Sequence, residues 1–280
     1  MKVIFYTAFA LTAFAFNSIL CRLALRGEEA DAVGFTLVRL ISGFAMMAVI
    51  CLVARRPIKW RQRNFNAGCY LFLYAFFFSI AYMQISAGPG ALILFGSVQV
   101  TMIGVSVFKG MRPSILEWVG AILAVCGLIY LVFPGLGSLN SLFSIVMGGA
   151  GVAWGFYTLN GKNSEDPIAE TTLNFLVALL LMPLVLIEVG SDVHLTNYGI
   201  LLAILSGAIA SGVGYSVWYA ALKHHTPTRA AVLQLSVPVI AAAGGVVFLS
   251  ESASMRLWIA GALILGGILL TIFSRKTNST

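Results

Sequence analysis

Long apolar runs repeat along the whole chain, and only short connections separate them. A bilayer core of about 30 Å requires roughly 20 helical residues at a rise of 1.5 Å each, and the runs are close to that length. Only 10% of the residues are charged, whereas a soluble domain carries about 25%. We therefore predict an all-α polytopic membrane protein with ten transmembrane helices, at about 3–25, 33–54, 66–86, 90–108, 115–133, 143–160, 170–188, 199–221, 227–249 and 256–274.

Basic residues set the expected orientation of these spans. The first run is too long for a signal peptide and lacks a cleavage site, so we expect it to remain as a span. With both termini in the cytoplasm, most Lys and Arg residues face inward, as the positive-inside rule requires: Lys2, Arg55, Arg56, Lys59, Arg61, Arg63, Lys109, Arg112, Lys162, Lys223, Arg229, Arg275 and Lys276. This distribution predicts a multi-pass protein of a bacterial-type inner membrane. It explains the net charge of +7 by topology and contact with anionic lipid, without a nucleic-acid partner.

The two halves of the chain resemble each other. A shift of 140 residues superposes identical residues without a gap, so we expect two five-helix repeats, at 1–138 and 139–280. The matched residues of the first half include Ala91, Gly104, Val107, Phe108, Trp118, Leu123 and Gly127. Because five is odd, the second repeat must enter the membrane in the opposite direction, and the loop charges agree: Lys109 lies inside, whereas the counterpart loop around Glu251 lies outside. Inverted repeats are typical of secondary transporters, which bind a small molecule between their halves.

A pattern in the second half resembles the EamA-type carriers of the drug/metabolite transporter (DMT) superfamily. It places a proline in the fourth helix of the repeat, an acid after it and spaced glycines in the fifth helix, at Thr226, Val232, Pro238, Gly244, Glu251, Trp258, Gly261 and Gly267. Ser250 precedes the acid here, and the first half has Val98 and Met111 at the proline and acid positions. Within the superfamily the chain is most similar to the YddG-type exporters. The resemblance implies a ten-helix inner-membrane carrier that exports aromatic amino acids or related metabolites.

Alternating access is the mechanism that this architecture favours. We expect the first, third and fourth spans to surround one central cavity together with their counterparts, the sixth, eighth and ninth. The fifth and tenth spans are then left for peripheral packing or for contacts in a dimer.

Aromatic residues recur at matching places in the two halves. Tyr74, Phe78 and Tyr82 follow one another every four residues along the third span, so they form a stripe on one helix face. The 140-residue shift places Trp218 on Phe78. We predict a ring-lined cavity that takes a flat apolar side chain; the alternative is helix packing or a belt at the membrane interface. The candidate rings are Phe14, Tyr74, Phe78, Tyr82, Trp154, Tyr157, Tyr215 and Trp218.

Amide side chains lie well inside three spans, at Asn17, Gln99 and Gln234. Polar groups in hydrocarbon are costly unless they are partnered. We predict that these amides bind the amino and carboxylate ends of a zwitterion, and the alternative is hydrogen bonding between helices. Pro238 is predicted to loosen the ninth helix, as a hinge or as a packing kink.

Ionisable residues are almost confined to loops and span ends. Arg39 is an exception in the second span, and we expect it to reach the outer interface or a water-filled vestibule; carboxylate binding is the alternative. All acids lie at span ends or in loops, so we expect transport down a gradient without obligatory proton coupling. Proton dependence through Glu251, or through His224 and His225, is the alternative.

Motifs of enzymes and metal sites are missing from the sequence. Cys21, Cys51, Cys69 and Cys126 are scattered without paired spacing, and His194 stands alone. We therefore predict no catalytic residue, no metal site and no cofactor. The expected partners are a small-molecule substrate and the lipid bilayer, with the chain a monomer or a weak homodimer. A broad-specificity drug/metabolite exporter coupled to protons is the alternative function, and a membrane-embedded enzyme is a more remote one.

Overall fold

A computed structural model describes residues 2–85, 87–110, 113–132, 141–162, 164–189, 193–248 and 255–277. The expected boundary between the repeats, at 138 and 139, and the candidate acid Glu251 lie outside these ranges. So do Met111 and Ser250, which were compared above with the family pattern.

Helices account for every predicted span in the described part of the chain. The first half contains α1 (Lys2–Arg26), α2 (Ala32–Val53), α3 (Gln62–Gln84), α4 (Ala87–Phe108) and α5 (Ile115–Val132). The second half contains α6 (Ser141–Gly161), α7 (Pro167–Leu181), α8 (Pro183–Val189), α9 (Asn197–Ile204), a π-helix (Leu205–Val213), α10 (Gly214–Leu222), α11 (Pro227–Gln234), α12 (Ser236–Phe248) and α13 (Met255–Thr277). The predicted all-α polytopic fold is therefore confirmed.

Length and hydropathy support membrane insertion for these helices. Six helical stretches in the described residues are long and apolar enough to cross a bilayer, and three shorter apolar helices accompany them. Large apolar side chains also remain exposed on the outside of the bundle, as at Leu52 (75%), Phe108 (93%) and Trp258 (69%). In water such a surface would promote aggregation, but in a bilayer it faces lipid.

The ninth span is divided by Pro238. Proline has no amide hydrogen, and its ring conflicts with the carbonyl four residues earlier, which here belongs to Gln234 at the end of α11. The chain turns at Leu235, whose N–H donates to the carbonyl three residues back, on Val232, at 3.0 Å. Helix α12 then starts at Ser236. The loosening expected from Pro238 is therefore present, and its use as a hinge stays a prediction.

A nine-residue π-helix lies in the middle of the eighth span. At its end the Gly214 N–H donates to the carbonyl of Ile209, five residues back. Long π-helical stretches are rare and tend to occur at functional sites. This one packs against α2, and a Cβ atom on Gly207 would collide with the backbone carbonyl of Arg39. A glycine at position 207 is what allows the two backbones to approach.

Several helices of one half pack on helices of the other half, and the counterparts of these helices pack on each other in the same way. Helix α3 packs on α6, and its counterparts in the other half, the π-helix with α10, pack on α1. Helix α2 packs on the π-helix, and α7 packs on α3. Helices α5 and α13 pack directly against each other, with close approaches at the counterpart residues Gly127 and Gly267. The halves are thus interleaved, and α1, α3, α6 and the eighth span pack against one another where the halves meet.

We predict that Gly207→Ala destabilises the protein by about 1–3 kcal/mol, because the added methyl group overpacks the contact with α2. Gly96→Ala is the matched control, since a Cβ atom there would meet nothing within 4 Å. The control should be neutral, or stabilising by up to about 1 kcal/mol. Thermal unfolding of both variants in detergent measures the difference. Equal midpoints would show that the helices do not approach closely at Gly207.

Candidate functional site

The predicted aromatic residues form one continuous buried cluster, and each of the eight is at most 7% exposed. Trp154 of α6 lies at its centre. Its ring centroid is 5.1 Å from that of Phe14, 4.7 Å from that of Tyr74 and 4.8 Å from that of Tyr215. These neighbours belong to α1, α3 and α10, so the cluster joins side chains from both halves of the chain.

The remaining predicted rings extend this cluster in two directions. Trp218 lies 5.7 Å from Phe14, and Tyr157 stacks 5.3 Å from Trp154. Along α3, Phe78 lies 5.3 Å from Tyr74, and Tyr82 lies 4.6 Å from Phe78. The structure thus brings all eight predicted rings together.

Two further rings complete the cluster and were not among the candidate site residues. Phe175 of α7 stacks on Tyr215 at 6.0 Å, and Tyr219 lies 5.0 Å from Tyr157. The side chain of Tyr219 fits because residue 161 is glycine, where a Cβ atom would overlap the ring. Tyr219 is four residues from Tyr215 on one helix face, so its spacing was a usable signal. Phe175 matches Phe35 in the 140-residue shift, but it lies in the seventh span, which was not among those expected to surround the cavity.

Two of the predicted amides lie at the edge of the cluster and already have partners. Asn17 donates from Nδ2 to the Tyr74 hydroxyl at 3.4 Å and accepts a hydrogen bond from Ser206. Gln234 accepts a hydrogen bond from Trp154 Nε1 at 2.5 Å, and its Nε2 lies 3.3 Å from the carbonyl of Ala230. These amides therefore fix the orientation of Tyr74 and Trp154.

Gln99 lies in a different place from the other predicted residues. It is only 4% exposed, and neither atom of its amide has a hydrogen-bond partner. It lines a cavity of about 530 Å³ between α4 and α5, whose other walls are almost entirely apolar and include Ile103, Trp118 and Ile122. The structure does not bring Gln99 to the ring cluster.

Arg39 is the charged residue of the site, and its expected position at the outer interface is wrong. Its side chain is 0% exposed. Nε donates to Ser211 Oγ at 3.1 Å and Nη2 donates to the Tyr215 hydroxyl at 2.6 Å. The guanidinium carbon lies 5.4 Å from the Tyr74 ring centroid and 5.6 Å from that of Phe78. The side chain therefore points into the protein, where hydroxyls and ring faces replace the water it would find at the interface.

The energy of this arrangement sets Arg39 apart from ordinary helix packing. A charge at the bilayer centre costs about 2.5–3.5 kcal/mol on insertion scales. A cation over an aromatic ring recovers about 0.5–2 kcal/mol, and hydrogen bonds to Ser211 and Tyr215 add to this. Nη1 remains buried without a partner. The sequence signal was an arginine about 10 Å into a span at 1.5 Å per residue, with no acid one helical turn away to neutralise it.

The eighth span supplies the hydroxyls around Arg39 and Asn17. Ser206 and Ser211 both lie in the π-helix, and they reach Asn17 on α1 and Arg39 on α2 respectively. The wider turn of a π-helix changes which side chains share a face, so the 3.6-residue periodicity of the sequence does not reveal this pairing.

Ion pairs join the two halves at the end of the bundle predicted to face the cytoplasm. Arg63 of α3 pairs with Glu170 of α7, and Arg61 donates to Glu165 at 2.6 Å. The hydrogen bond from Arg61 and its charge lower the pKa of the Glu165 carboxyl. This pair therefore holds at pH values above the ordinary pKa of a glutamate and is lost as the pH falls through the lowered value. Arg56 lies 3.8 Å from Asp166.

A backbone contact joins the halves at the opposite end. Ala30, in the loop between α1 and α2, forms an antiparallel bridge with Leu195, in the loop before α9. Asp31 accepts a hydrogen bond from the His194 N–H at 2.5 Å, and the Thr196 N–H donates to the carbonyl of Glu29 at 2.8 Å. The two end contacts agree with the expected repeats, because each joins the first loop of one half to the second loop of the other.

Comparisons with known proteins agree with this architecture. Residues 142–273 match the EamA-like transporter family. An uncharacterized protein of Pseudomonas aeruginosa, PA1977, is 42% identical over 274 residues, which cover 98% of this chain and 96% of that one. The threonine/homoserine exporter RhtA of Escherichia coli strain K12 is 28% identical over 186 residues, or 63% of this chain and 61% of RhtA.

A solved crystal structure supports the fold over nearly the whole length. It superposes with a TM-score of 0.80 at 19% identity and covers 96% of this chain and 98% of its own. The family match and the name of the exporter among the relatives indicate a transporter rather than an enzyme. The chain belongs to the EamA-like transporter family, within the drug/metabolite transporter superfamily.

Proposed function

We propose that this chain exports amino acids with aromatic side chains, and related metabolites, across the inner membrane. The observation that carries the proposal is the ring cluster, in which Trp154 of the second half contacts Phe14 and Tyr74 of the first. A flat side chain held among such rings gains about 0.5–1.5 kcal/mol per good contact beyond its burial. The threonine/homoserine exporter among the relatives supports amino acids as the class, and the rings favour its aromatic members.

Alternating access is the proposed mechanism. The ring cluster lies between the interleaved halves, and separate contacts hold the two ends of the bundle. If the ion pairs break while the bridge between Ala30 and Leu195 holds, the cluster opens to the cytoplasm. If the bridge breaks while the ion pairs hold, the cluster opens to the outside. The interruption before Pro238 gives the ninth span a place to bend without breaking further hydrogen bonds.

Both termini are proposed to face the cytoplasm. This orientation places Arg56, Arg61 and Arg63 with their acidic partners on the inner side, in agreement with the positive-inside rule. The two repeats are proposed to divide the chain at 138 and 139. The chain is proposed to work as a monomer or a weak homodimer, since α5 and α13 already cover each other within one chain.

Proton coupling is not required in this proposal. Within the described ranges, the acidic side chains lie in loops or near helix ends and not in the ring cluster. His225 is buried near the inner end, where its Nε2 lies 2.9 Å from the Thr7 hydroxyl. Because the acids lie in loops or near helix ends, and the buried Glu170 is already paired with Arg63, the proposal gives substrate and proton separate sites.

We predict that the purified carrier in proteoliposomes exchanges labelled phenylalanine, tyrosine and tryptophan faster than leucine or a cationic dye. Trp218→Leu should reduce this preference about tenfold, because the ring contacts next to Phe14 are lost. Trp258→Leu is the matched control, since Trp258 is 69% exposed on the outer surface of α13. Counterflow rates for each substrate measure both effects.

Two results would contradict the aromatic assignment. Equal rates for leucine and phenylalanine would show that the rings pack helices together and do not select the substrate. Faster transport of the dye would favour the alternative, a broad-specificity drug/metabolite exporter.

We predict that collapsing the proton gradient with an ionophore leaves the phenylalanine exchange rate unchanged. The physical reason is that the acids of the described residues lie in loops or near helix ends, and that the buried Glu170 is already paired with Arg63. Exchange is measured with and without the ionophore at equal internal and external pH. A rate that falls severalfold on collapse would establish coupling and would direct attention to Glu251 and His225.

We predict that Arg63→Glu and Glu170→Arg each change the transport rate severalfold, because a partly buried pair is replaced by two like charges. The combined swap should restore most of the wild-type rate, since the opposite charges face each other again. The exchange rates of the wild type, the two single variants and the double variant together form a double-mutant cycle. Additive effects would show that the two residues do not act as a pair. Lys109→Glu, on the same side but outside this contact, is the control.

A further inference from the structure

The guanidinium of Arg39 has more hydrogen-bond donors than the protein satisfies. Nε and Nη2 donate to Ser211 and Tyr215, whereas Nη1 is buried and has no hydrogen-bond partner. A guanidinium presents five N–H groups in a planar fork, and that fork matches the two oxygens of a carboxylate. The unpaired N–H groups of Arg39 Nη1 therefore have the chemistry of an anion receptor.

Acidic side chains of the protein do not fill this role in the described ranges. Ion pairs there involve Arg56, Arg61 and Arg63 at the inner end, and none includes Arg39. Asp31, the acid just before α2, accepts hydrogen bonds from the backbone amides of Val33, Gly34 and His194. Arginine does not lose its proton inside proteins, so a positive charge persists in the site without an acidic partner.

The position of this charge connects it to the ring cluster. Tyr74 and Phe78 place their rings over the guanidinium, and Tyr215 bonds it directly. A ligand whose ring lies among these side chains has its polar end beside Arg39. The 140-residue shift aligns Leu179 with Arg39, so the second half has no equivalent cation. The polar end of a bound ligand would therefore always point toward the first half.

An ammonium ion would find neutral acceptors at the ring cluster in the described residues. The carbonyl oxygens of Asn17 and Gln234 each already accept one hydrogen bond. Asn174 Oδ1 and the Tyr157 hydroxyl are buried without a partner, but both are neutral. Glu170 of α7 is already engaged in an ion pair. The site therefore offers an opposite charge to the carboxylate of a zwitterion and none to its ammonium group.

We propose that Arg39 binds the carboxylate of the transported molecule, and that the site accepts aromatic carboxylates whether or not they carry an amino group. The inference rests on the proposed function, because it uses the ring cluster as the site for the aromatic part of the substrate. It extends the substrate class from amino acids to aryl-substituted carboxylic acids, and it excludes aromatic amines.

Two isosteric probes separate charge recognition from ring recognition. They are 3-phenylpropanoate and its amide, 3-phenylpropanamide, which differ only in the carboxylate. A ligand that binds the folded state raises the unfolding temperature of the protein, so thermal shifts in detergent report binding without requiring transport. We expect the carboxylate to bind wild-type protein about tenfold or more tightly than the amide, as for hydrogen bonds to a charged group. 2-Phenylethylamine, the amine-only probe, should bind no better than the amide.

Variants assign the difference to Arg39. Arg39→Gln should abolish the preference for the carboxylate and leave binding of 3-phenylpropanamide unchanged, whereas a general loss of packing would weaken both. Arg39→Lys should keep part of the preference, because it retains the charge but loses the planar fork. Arg26→Gln, at the exposed outer end of α1, is the control and should behave as wild type. If the Gln variant does not fold, the Lys variant and the wild-type probe series still decide the question.

The outcomes separate this inference from the proposed function. Equal binding of carboxylate and amide, or tighter binding of the amine, overturns the role of Arg39 even if phenylalanine is transported. Arg39-dependent binding of 3-phenylpropanoate without transport of any aromatic amino acid would keep the anion site and overturn the proposed function.

Discussion

Polar groups in a lipid bilayer must find their partners inside the protein, and this constraint organises the whole molecule. No water is present in the hydrocarbon core to satisfy backbone amides and carbonyls, so the described spans are helical. The same constraint explains why the buried side chains Asn17 and Gln234 bond to neighbouring helices. It also makes Arg39 informative, since a buried cation with an unpaired nitrogen is the case that the rule disfavours.

Irregular helices are concentrated where the polar side chains meet. The π-helix Leu205–Val213 supplies the serines that contact Asn17 and Arg39, and the ninth span breaks directly after Gln234. Both irregularities lie beside the ring cluster, and only part of the π-helix, at Ile209, is exposed on the outer surface in the described residues. Neighbouring helices can satisfy the freed backbone groups there, which is why such distortions are tolerated at this position.

The two halves differ in the chemistry of their contacts. Related helix pairs and related end contacts are what the proposed duplication predicts. The inner contact nevertheless uses ion pairs such as Arg63 with Glu170, whereas the outer contact uses backbone hydrogen bonds between Ala30 and Leu195 and their neighbours. Likewise, Arg39 of the first half contacts the ring cluster, and its counterpart in the second half is Leu179. The proposed repeat therefore accounts for the paired framework, whereas its side chains make the two halves chemically different.

The sequence by itself determined the spans, their number and the rings. Hydropathy and the 3.6-residue period are local properties, so runs such as 33–54 predicted helix α2 closely, and the stripe Tyr74, Phe78 and Tyr82 predicted one buried face. Only the tertiary structure decided which of these faces meet. It placed Gln99 against the apolar cavity beside α5, added Phe175 to the cluster and turned Arg39 inward against the expected position. The reason is that helix pairing and the π-helical turn depend on contacts between distant residues, which no local pattern records.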